Sequence, residues 1–226
     1  MHLLIPAAGI GKRMGANGNK LLLSLLDYSI MGWTLKAAVA AKTIEWIGII
    51  CQSTDEPAFQ ATVKQLGIDK PVEFIRGGDT RQESVKNGLQ ALPTDASHVL
   101  IHDGARCLAT PTLFDRCSTT FADCEGFIAA VPVKDTIKQV SSSGIIEDTP
   151  DRSNLWAAQT PQGFNVTLLK KAHAEAQSQG WTVTDDAALF ERCGLAVHIV
   201  EGEETNLKIT TPVDLAIAEF ILRQRN

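Results

Sequence analysis

The chain has 226 residues, 44% of them hydrophobic and 21% charged, with a formal net charge of −5. That suffices for one large α/β domain with its own core, and it is too well mixed for a disordered segment. The negative balance gives no general attraction to nucleic acid, so a polyanionic ligand must be held by local basic residues; no apolar run reaches the length of a membrane span.

In chain order, Leu3 to Pro6 reads as a buried strand, and the glycine-rich stretch PAAGIGKRMG from Pro6 to Gly15 follows it. Helices are expected over Ser29–Ala41, Glu56–Gln65 and Thr80–Leu92, alternating with strands over Trp46–Cys51, Val72–Ile75 and His98–His102. The strand runs are continuously apolar, as in strands covered on both faces, and the repeated β-α-β order predicts a Rossmann-like, doubly wound, mostly parallel sheet with right-handed crossovers. After Gly126 the pattern changes. Phe127–Val133 is a strand, Thr136–Val140 extends the chain into an arm, Ser141–Gly144 is a tight turn, and Leu155–Gln159 is the returning strand. This hairpin, approximately residues 134–158, is either a dimer contact or a flexible surface feature. Helices follow over Val166–Gln177 and Asp185–Arg192, then a strand over Ala196–Val200. A last helix begins near Thr211, with Pro212 at its first position and Asp214 in its first turn. No repeat, linker or low-complexity tract divides residues 1–226, so one domain is expected.

Five cysteines without a C-x-x-C pair give neither a disulfide framework nor a zinc site. Cys51 reads as a small core residue. Cys107, just after Arg106, reads as the candidate for the electropositive setting that a reactive thiolate needs. The N-terminal MHLLIPAAG has neither the basic start nor the apolar length of a secretory signal, and no plastid transit peptide is expected. A bacterial cytoplasm, or a plastid stroma for a trimmed protein, is the expected setting.

Four stretches carry chemistry. In the first, Gly9 and Gly11 let backbone N–H groups approach phosphate oxygens, and Lys12, Arg13 and Lys20 supply positive charge. A dinucleotide fingerprint would need its third glycine where Met14 stands. A Walker A loop would need glycine at Pro6 and Ser or Thr at Arg13. What remains is a basic glycine loop, or a tight strand–helix turn with a solvated basic edge. The second stretch, GGDTRQESV from Gly77 to Val85, lies where a strand ends and a helix begins, the usual ligand edge of such sheets. Gly77 and Gly78 permit close approach of a flat base. Asp79 and Ser84 suit its polar edge, while Thr80 and Glu83 fit a capping box. In the third, HDGAR from His102 to Arg106, Asp103 stands at a strand's carboxyl end and suits Mg²⁺, or is locked in a pair with Arg106. His102 is either packed or an acid–base group. The fourth comprises Asp151-Arg152, a loop AAQTPQGF from Ala157 to Phe164 with Thr160 before Pro161, and NLKIT with Lys208. Arg152 and Lys208 either bind a second phosphate or are surface charges.

These stretches, with VPVKDTIK around Thr136, occur in one order along nearly the whole chain, and together they resemble the 2-C-methyl-D-erythritol 4-phosphate cytidylyltransferase family. The resemblance implies in-line attack by the acceptor's phosphate on the α-phosphorus of CTP, with Mg²⁺ as cofactor and no covalent enzyme intermediate. It implies that Arg13 and Lys20 stabilise the transition state. Ala7, Ala8, Gly78, Asp79 and Ser84 would read cytosine, Gly9 and Gly11 would lie against phosphates, and Ala105 and Arg106 near the ribose. Asp103 would sit near the metal and the acceptor. Thr136, Arg152, Thr160 and Lys208 would grip the alcohol phosphate, with Arg152 and Lys208 counted among the catalytic residues. Arg152 and Thr136 would reach a neighbouring subunit's site, so a homodimer is implied.

The chain departs from the family pattern in three places. Asn19 stands where proline usually precedes the loop lysine, Leu26–Ile30 replaces G-K-P-[IL], and Gly104 and Cys107 alter H-D-A-A-R-P. Two rival readings are a cytidylyltransferase for another alcohol phosphate, such as ribitol 5-phosphate, and a non-catalytic nucleotide-binding regulator on the same fold.

Overall fold

The structure, a computed structural model, describes residues 1–9 and 18–225. Gly11, Lys12 and Arg13 therefore lie outside the described residues. Eleven strands and seven helices are formed by the described residues. Strands β1 (His2–Pro6), β4 (Trp46–Cys51), β5 (Val72–Arg76), β6 (His98–Ile101), β7 (Gly126–Pro132), β10 (Trp156–Asn165) and β11 (His198–Glu201) make one sheet in the order β11-β7-β10-β6-β1-β4-β5. Only β10 runs antiparallel to its neighbours in that sheet. Residues Ser24–Leu25 (β2) and Tyr28–Ser29 (β3) pair as a short hairpin, and Gln139–Val140 (β8) pairs with Ile146–Asp148 (β9) in the arm.

The sheet is covered on both faces because successive side chains of each strand point to opposite sides. Leu3, Ile5, Ile47, Ile49 and Leu100 face a cluster with α1 (Ile30–Ala40), α2 (Glu56–Gln65), α4 (Pro111–Thr119) and α7 (Pro212–Arg225). Leu4, Ile50, Ile75, Val99 and Ile101 face α3 (Arg81–Ala91), α5 (Val166–Gln179) and α6 (Ala187–Arg192) on the other side. Each fully buried Leu, Ile or Phe of this set contributes on the order of 2 kcal/mol.

The helix ends follow local chemistry. Ser29, Thr80, Thr110 and Asn165 each accept a backbone N–H in the first turn of the helix they cap. Pro212 is the first residue of α7, and Asp214 accepts the N–H groups of Thr210 and Thr211. In the arm, Gly144 has φ +81° and closes the turn with a bond from its N–H to the carbonyl of Ser141.

Four expectations are corrected. Residues Ala157–Phe164 are not a loop but the body of β10. Pro161 is tolerated there because the ladder to β7 shifts register between Ala158 and Gln162, so no paired N–H is demanded of it. The second correction is α4, which the chain-order reading passed over; Thr110 caps it, Pro111 opens it, and Leu113, Phe114 and Cys117 bury its inner face. The last strand forms over His198–Glu201 rather than Ala196–Val200, and the helix expected from Asp185 starts at Ala187 because Asp185 and Asp186 are drawn into side-chain bonds.

Candidate functional site

From β1 the chain steps outward through β4 and β5, then returns to β6 on the other side of β1. The two adjacent strands β1 and β6 thus mark the point where strand order reverses, and ligands of open α/β sheets bind beyond the carboxyl ends there. A cleft of about 230 Å³ occupies this place. Ala7, Ala8 and Gly9 line it from the end of β1, and Asp103, Gly104 and Ala105 from the end of β6. Lys20, Gly78, Asp79, Ser84 and Lys208 complete the walls together with Arg81.

The turn after β5 is shaped from within. The Ser84 hydroxyl accepts the N–H of Gly78 at 3.0 Å, and Glu83 accepts the N–H of Asp79 at 2.8 Å. Thr80 accepts the Glu83 N–H, which is half of the expected capping box; the Glu83 carboxylate takes the N–H of Asp79, one residue before the cap, instead of that of Thr80. The Asp79 side chain is left for the cleft. A Cβ on Gly77 would lie 2.4 Å from that of Ala8, which lets the two turns approach closely.

Asp103 carries the electrostatics. Its carboxylate receives Lys208 at 2.6 Å and Arg81 at 3.6 Å. Burial alone would raise its pKa, but the Arg81 and Lys208 charges outweigh it and hold the group at about 2. The suggested Arg106–Asp103 lock is not formed. The Arg106 guanidinium instead donates to the carbonyls of Asn206 at 2.6 Å and Ala158 at 3.1 Å. Arg106 and Thr160 line a smaller recess of about 170 Å³ that shares Asp103, Arg81 and Lys208 with the cleft. Lys208 is therefore not an isolated surface charge; it stands where the two spaces meet. The Lys20 ammonium donates to the Ile209 carbonyl at 2.6 Å, one residue along.

His102 is a packed residue. It is fully buried, its ring nitrogens lie 3.0 Å from the Thr160 hydroxyl and 3.2 Å from the Arg106 carbonyl, and Phe114 meets it edge-on. Burial pushes its pKa down to about 4, so it is neutral near pH 7. Cys107 does not qualify as a reactive thiol, since burial pushes it up to about 12. Cys51 is a core residue as expected.

Arg152 and Thr136 are not brought to this cleft. Both are exposed in the arm, and the Arg152 guanidinium is bonded to the Lys134 carbonyl. Among the described residues no cluster of three or more His, Cys, Asp or Glu side chains could cage a metal ion. The single ionised carboxylate of Asp103 fits Mg²⁺ delivered with phosphate oxygens, because that ion binds through one or two carboxylates plus its substrate.

Sequence reasoning missed two residues. Arg81 bridges Asp103 to the buried Asp186, which it meets at 2.8 Å; its signal was a lone cation in the first turn of a helix at the ligand edge. Asn206, with no exposed surface, donates to Gln159 at 3.0 Å and to the Thr160 carbonyl at 2.8 Å, tying the Lys208 segment to β10.

Comparison with known proteins gives one consistent result. Residues 1–224 match the family model of 2-C-methyl-D-erythritol 4-phosphate cytidylyltransferase. The chain is 68% identical to the protein of that name from Nostoc sp. over 226 residues, covering 100% of this chain and 99% of the relative. It is 65% identical to the one from Synechocystis sp., covering 100% and 98%. Among solved structures, it superposes on the 4-diphosphocytidyl-2C-methyl-D-erythritol synthase of Anaerococcus prevotii with a TM-score of 0.88 at 29% identity, covering 98% of this chain and 97% of that one. The Thermus thermophilus cytidylyltransferase gives a TM-score of 0.81 at 32% identity, with 98% of each chain covered.

Proposed function

The chain belongs to the 2-C-methyl-D-erythritol 4-phosphate cytidylyltransferase family, and from that premise we propose how its residues divide the work. The enzyme transfers the cytidylyl group of CTP to 2-C-methyl-D-erythritol 4-phosphate in isoprenoid precursor synthesis, releasing pyrophosphate. A phosphate oxygen of the acceptor attacks the α-phosphorus in line, and the bond to the bridging oxygen breaks with its electron pair leaving on pyrophosphate. The attacking phosphate is already ionised, so no general base is required, and catalysis is positioning and charge stabilisation.

Cytosine lies against Ala7, Ala8, Gly78, Asp79 and Ser84, with the phosphates along Gly9 and Gly11. Ala105 and Arg106 take the ribose side. Lys20, with Arg13 from the glycine loop, stabilises the charge that develops on the α-phosphate and the leaving group. Lys208 and Thr160 receive the alcohol phosphate, and Asp103 lies beside this acceptor. Asp103 would hold a Mg²⁺ ion brought in with the triphosphate, which would supply further charge neutralisation. The observation that carries this reading is the cleft at the β1/β6 switch point, where Lys20, Lys208 and the Asp103 carboxylate meet two glycine turns.

A homodimer completes the site, with Arg152 and Thr136 supplied by the partner's arm. Supporting this, the arm exposes Ile137, Val140, Ile145, Ile146 and Trp156, an apolar set suited to a second copy. The chain forms one domain. We place it in the cytoplasm, in keeping with its cyanobacterial relatives. No helix of the described residues is long and apolar enough to cross a membrane. Pyrophosphate release measured with each of the four nucleoside triphosphates, and with methylerythritol phosphate against ribitol 5-phosphate, tests the assignment. Equal rates with ribitol 5-phosphate, or CTP binding without release, would overturn it.

A further inference from the structure

Lys20 opens a short 3-10 turn, Lys20–Leu22, and the residue before it, Asn19, is 8% exposed. A buried amide must find partners, and this one does. Its Nδ2 donates to the Ala7 carbonyl at 2.6 Å and to the Asp55 carboxylate at 2.9 Å, while its Oδ1 accepts the Leu21 N–H at 3.0 Å. The amide's orientation is forced, because the flipped form would set Oδ1 against two acceptor oxygens. One side chain therefore ties together the end of β1, the turn that carries Lys20, and the start of α2.

Asp55 stands at the N-cap of α2 yet makes no capping bond. A side-chain cap there ordinarily stabilises a helix. Its carboxylate is committed to Asn19 instead. Asn19 also holds φ at −73°, the value a proline ring would impose at this position, where the family pattern has proline. Three hydrogen bonds from one side chain thus brace the backbone where the turn begins. Ala7 and Lys20 both line the cleft, so the Asn19 amide ties the backbone that carries Lys20 to the end of β1.

We propose that Asn19, held by Asp55, is a positioning residue that sets Lys20 for transfer in this chain. The proposal rests on the role given to Lys20 above. Asn19→Asp keeps the shape and the bond to Leu21 but loses both donors and sets a carboxylate against Asp55. With the full-length protein, turnover at saturating CTP falls at least about tenfold, since small misplacements of a reacting group cost that much, while the CTP dissociation constant stays within about threefold. Adding Asp55→Asn returns a donor to the pair, and Asn19→Asp/Asp55→Asn regains at least about fivefold of the lost turnover. Asp55→Ala, at a half-buried site that spares the core, lowers turnover in the same sense, and melting curves check that each variant is folded at the assay temperature. A folded Asn19→Asp with turnover within about twofold of the parent, a loss mirrored fully in CTP affinity, or no recovery in the double variant overturns the proposal. Lys20→Ala separates the two ideas. If it leaves transfer intact, the reading of Lys20 fails; if it abolishes transfer while Asn19→Asp does not, only the positioning role fails.

Discussion

The Lys208 ammonium lies 2.6 Å from the Asp103 carboxylate, joining the segment before the last helix to the end of β6. Arg81 approaches the same carboxylate at 3.6 Å, so one negative charge is shared by two cations from separate elements. In the absence of substrate this pairing keeps two positive charges in place beside the cleft. When an anionic substrate enters, Lys208 has a second claimant.

That pairing has a pH signature. The folded Asp103 carboxyl, at about 2, lies below its ordinary 3.8, so its stabilisation is present above the ordinary value and is lost as pH falls through the folded one. A shift of this size amounts to about 2 kcal/mol at pH 7. Urea unfolding of the parent and of Asp103→Asn at several pH values should show a gap of that order at pH 7, shrinking to about half near pH 3. A gap that does not change between these values would mean that Asp103 is not held by its cations.

His102 gives the opposite test of role. Its folded pKa, lowered by burial to about 4 from an ordinary 6.5, means that the unfolded chain takes up a proton first as pH falls. Its contribution is complete above 6.5 and is lost between there and 4, by about 3 kcal/mol. His102→Gln should lack this acid-side loss of stability. The transfer rate of the parent, followed between pH 6 and 8, should show no inflection from this ring; a limb there that disappears in His102→Gln would make His102 an acid–base group after all.

Gly163 tests why β10 is a strand. A Cβ at this position would sit 2.2 Å from Cζ of Phe127 and within 2.7 Å of both neighbouring ring carbons, and Phe127 is itself fully buried. Neither the ring nor the sheet can yield cheaply. Gly163→Ala should lower the urea midpoint by the equivalent of about 2–3 kcal/mol, in the range of overpacked cores. A midpoint within error of the parent would show that the ring has room to turn.

This contact also explains what was legible. The run WIGIIC of β4 reads as a strand covered on both faces because every residue of it is apolar or glycine. The run TPQGF carries proline and glycine, the usual marks of a loop, and becomes a strand only through Phe127 and a register shift that sequence does not display. The site divides the same way. The glycine turns and the identities of Lys20, Asp79, Asp103 and Lys208 are visible in local motifs. Which charges meet is not, since Arg81 finds Asp186 and Asp103, and Lys208 finds Asp103, across elements far apart in the chain. In sequence Asn19 reads as a departure from a pattern; its three bonds form only when β1 and α2 are folded against the turn.

The arm supports a prediction that needs no structure of the dimer. Lys208 lies at the cleft of its own subunit, whereas Arg152 is exposed in the arm and absent from that cleft. If each active site takes Lys208 from one subunit and Arg152 from the other, Lys208→Ala and Arg152→Ala should each be nearly inactive alone. In a mixed dimer of the two, one site receives both substitutions and the other receives neither. Random exchange of subunits makes half of the dimers mixed, each with one intact site, so activity should return to about a quarter of the parent value. The recovery should appear only after subunits exchange, for instance by co-refolding or co-expression, and should be missing when separately folded variants are mixed and assayed at once. If co-refolded mixtures stay as inactive as either variant alone while the parent refolds fully, then Arg152 serves the subunit that carries it, and the partner's arm contributes no residue to the chemistry.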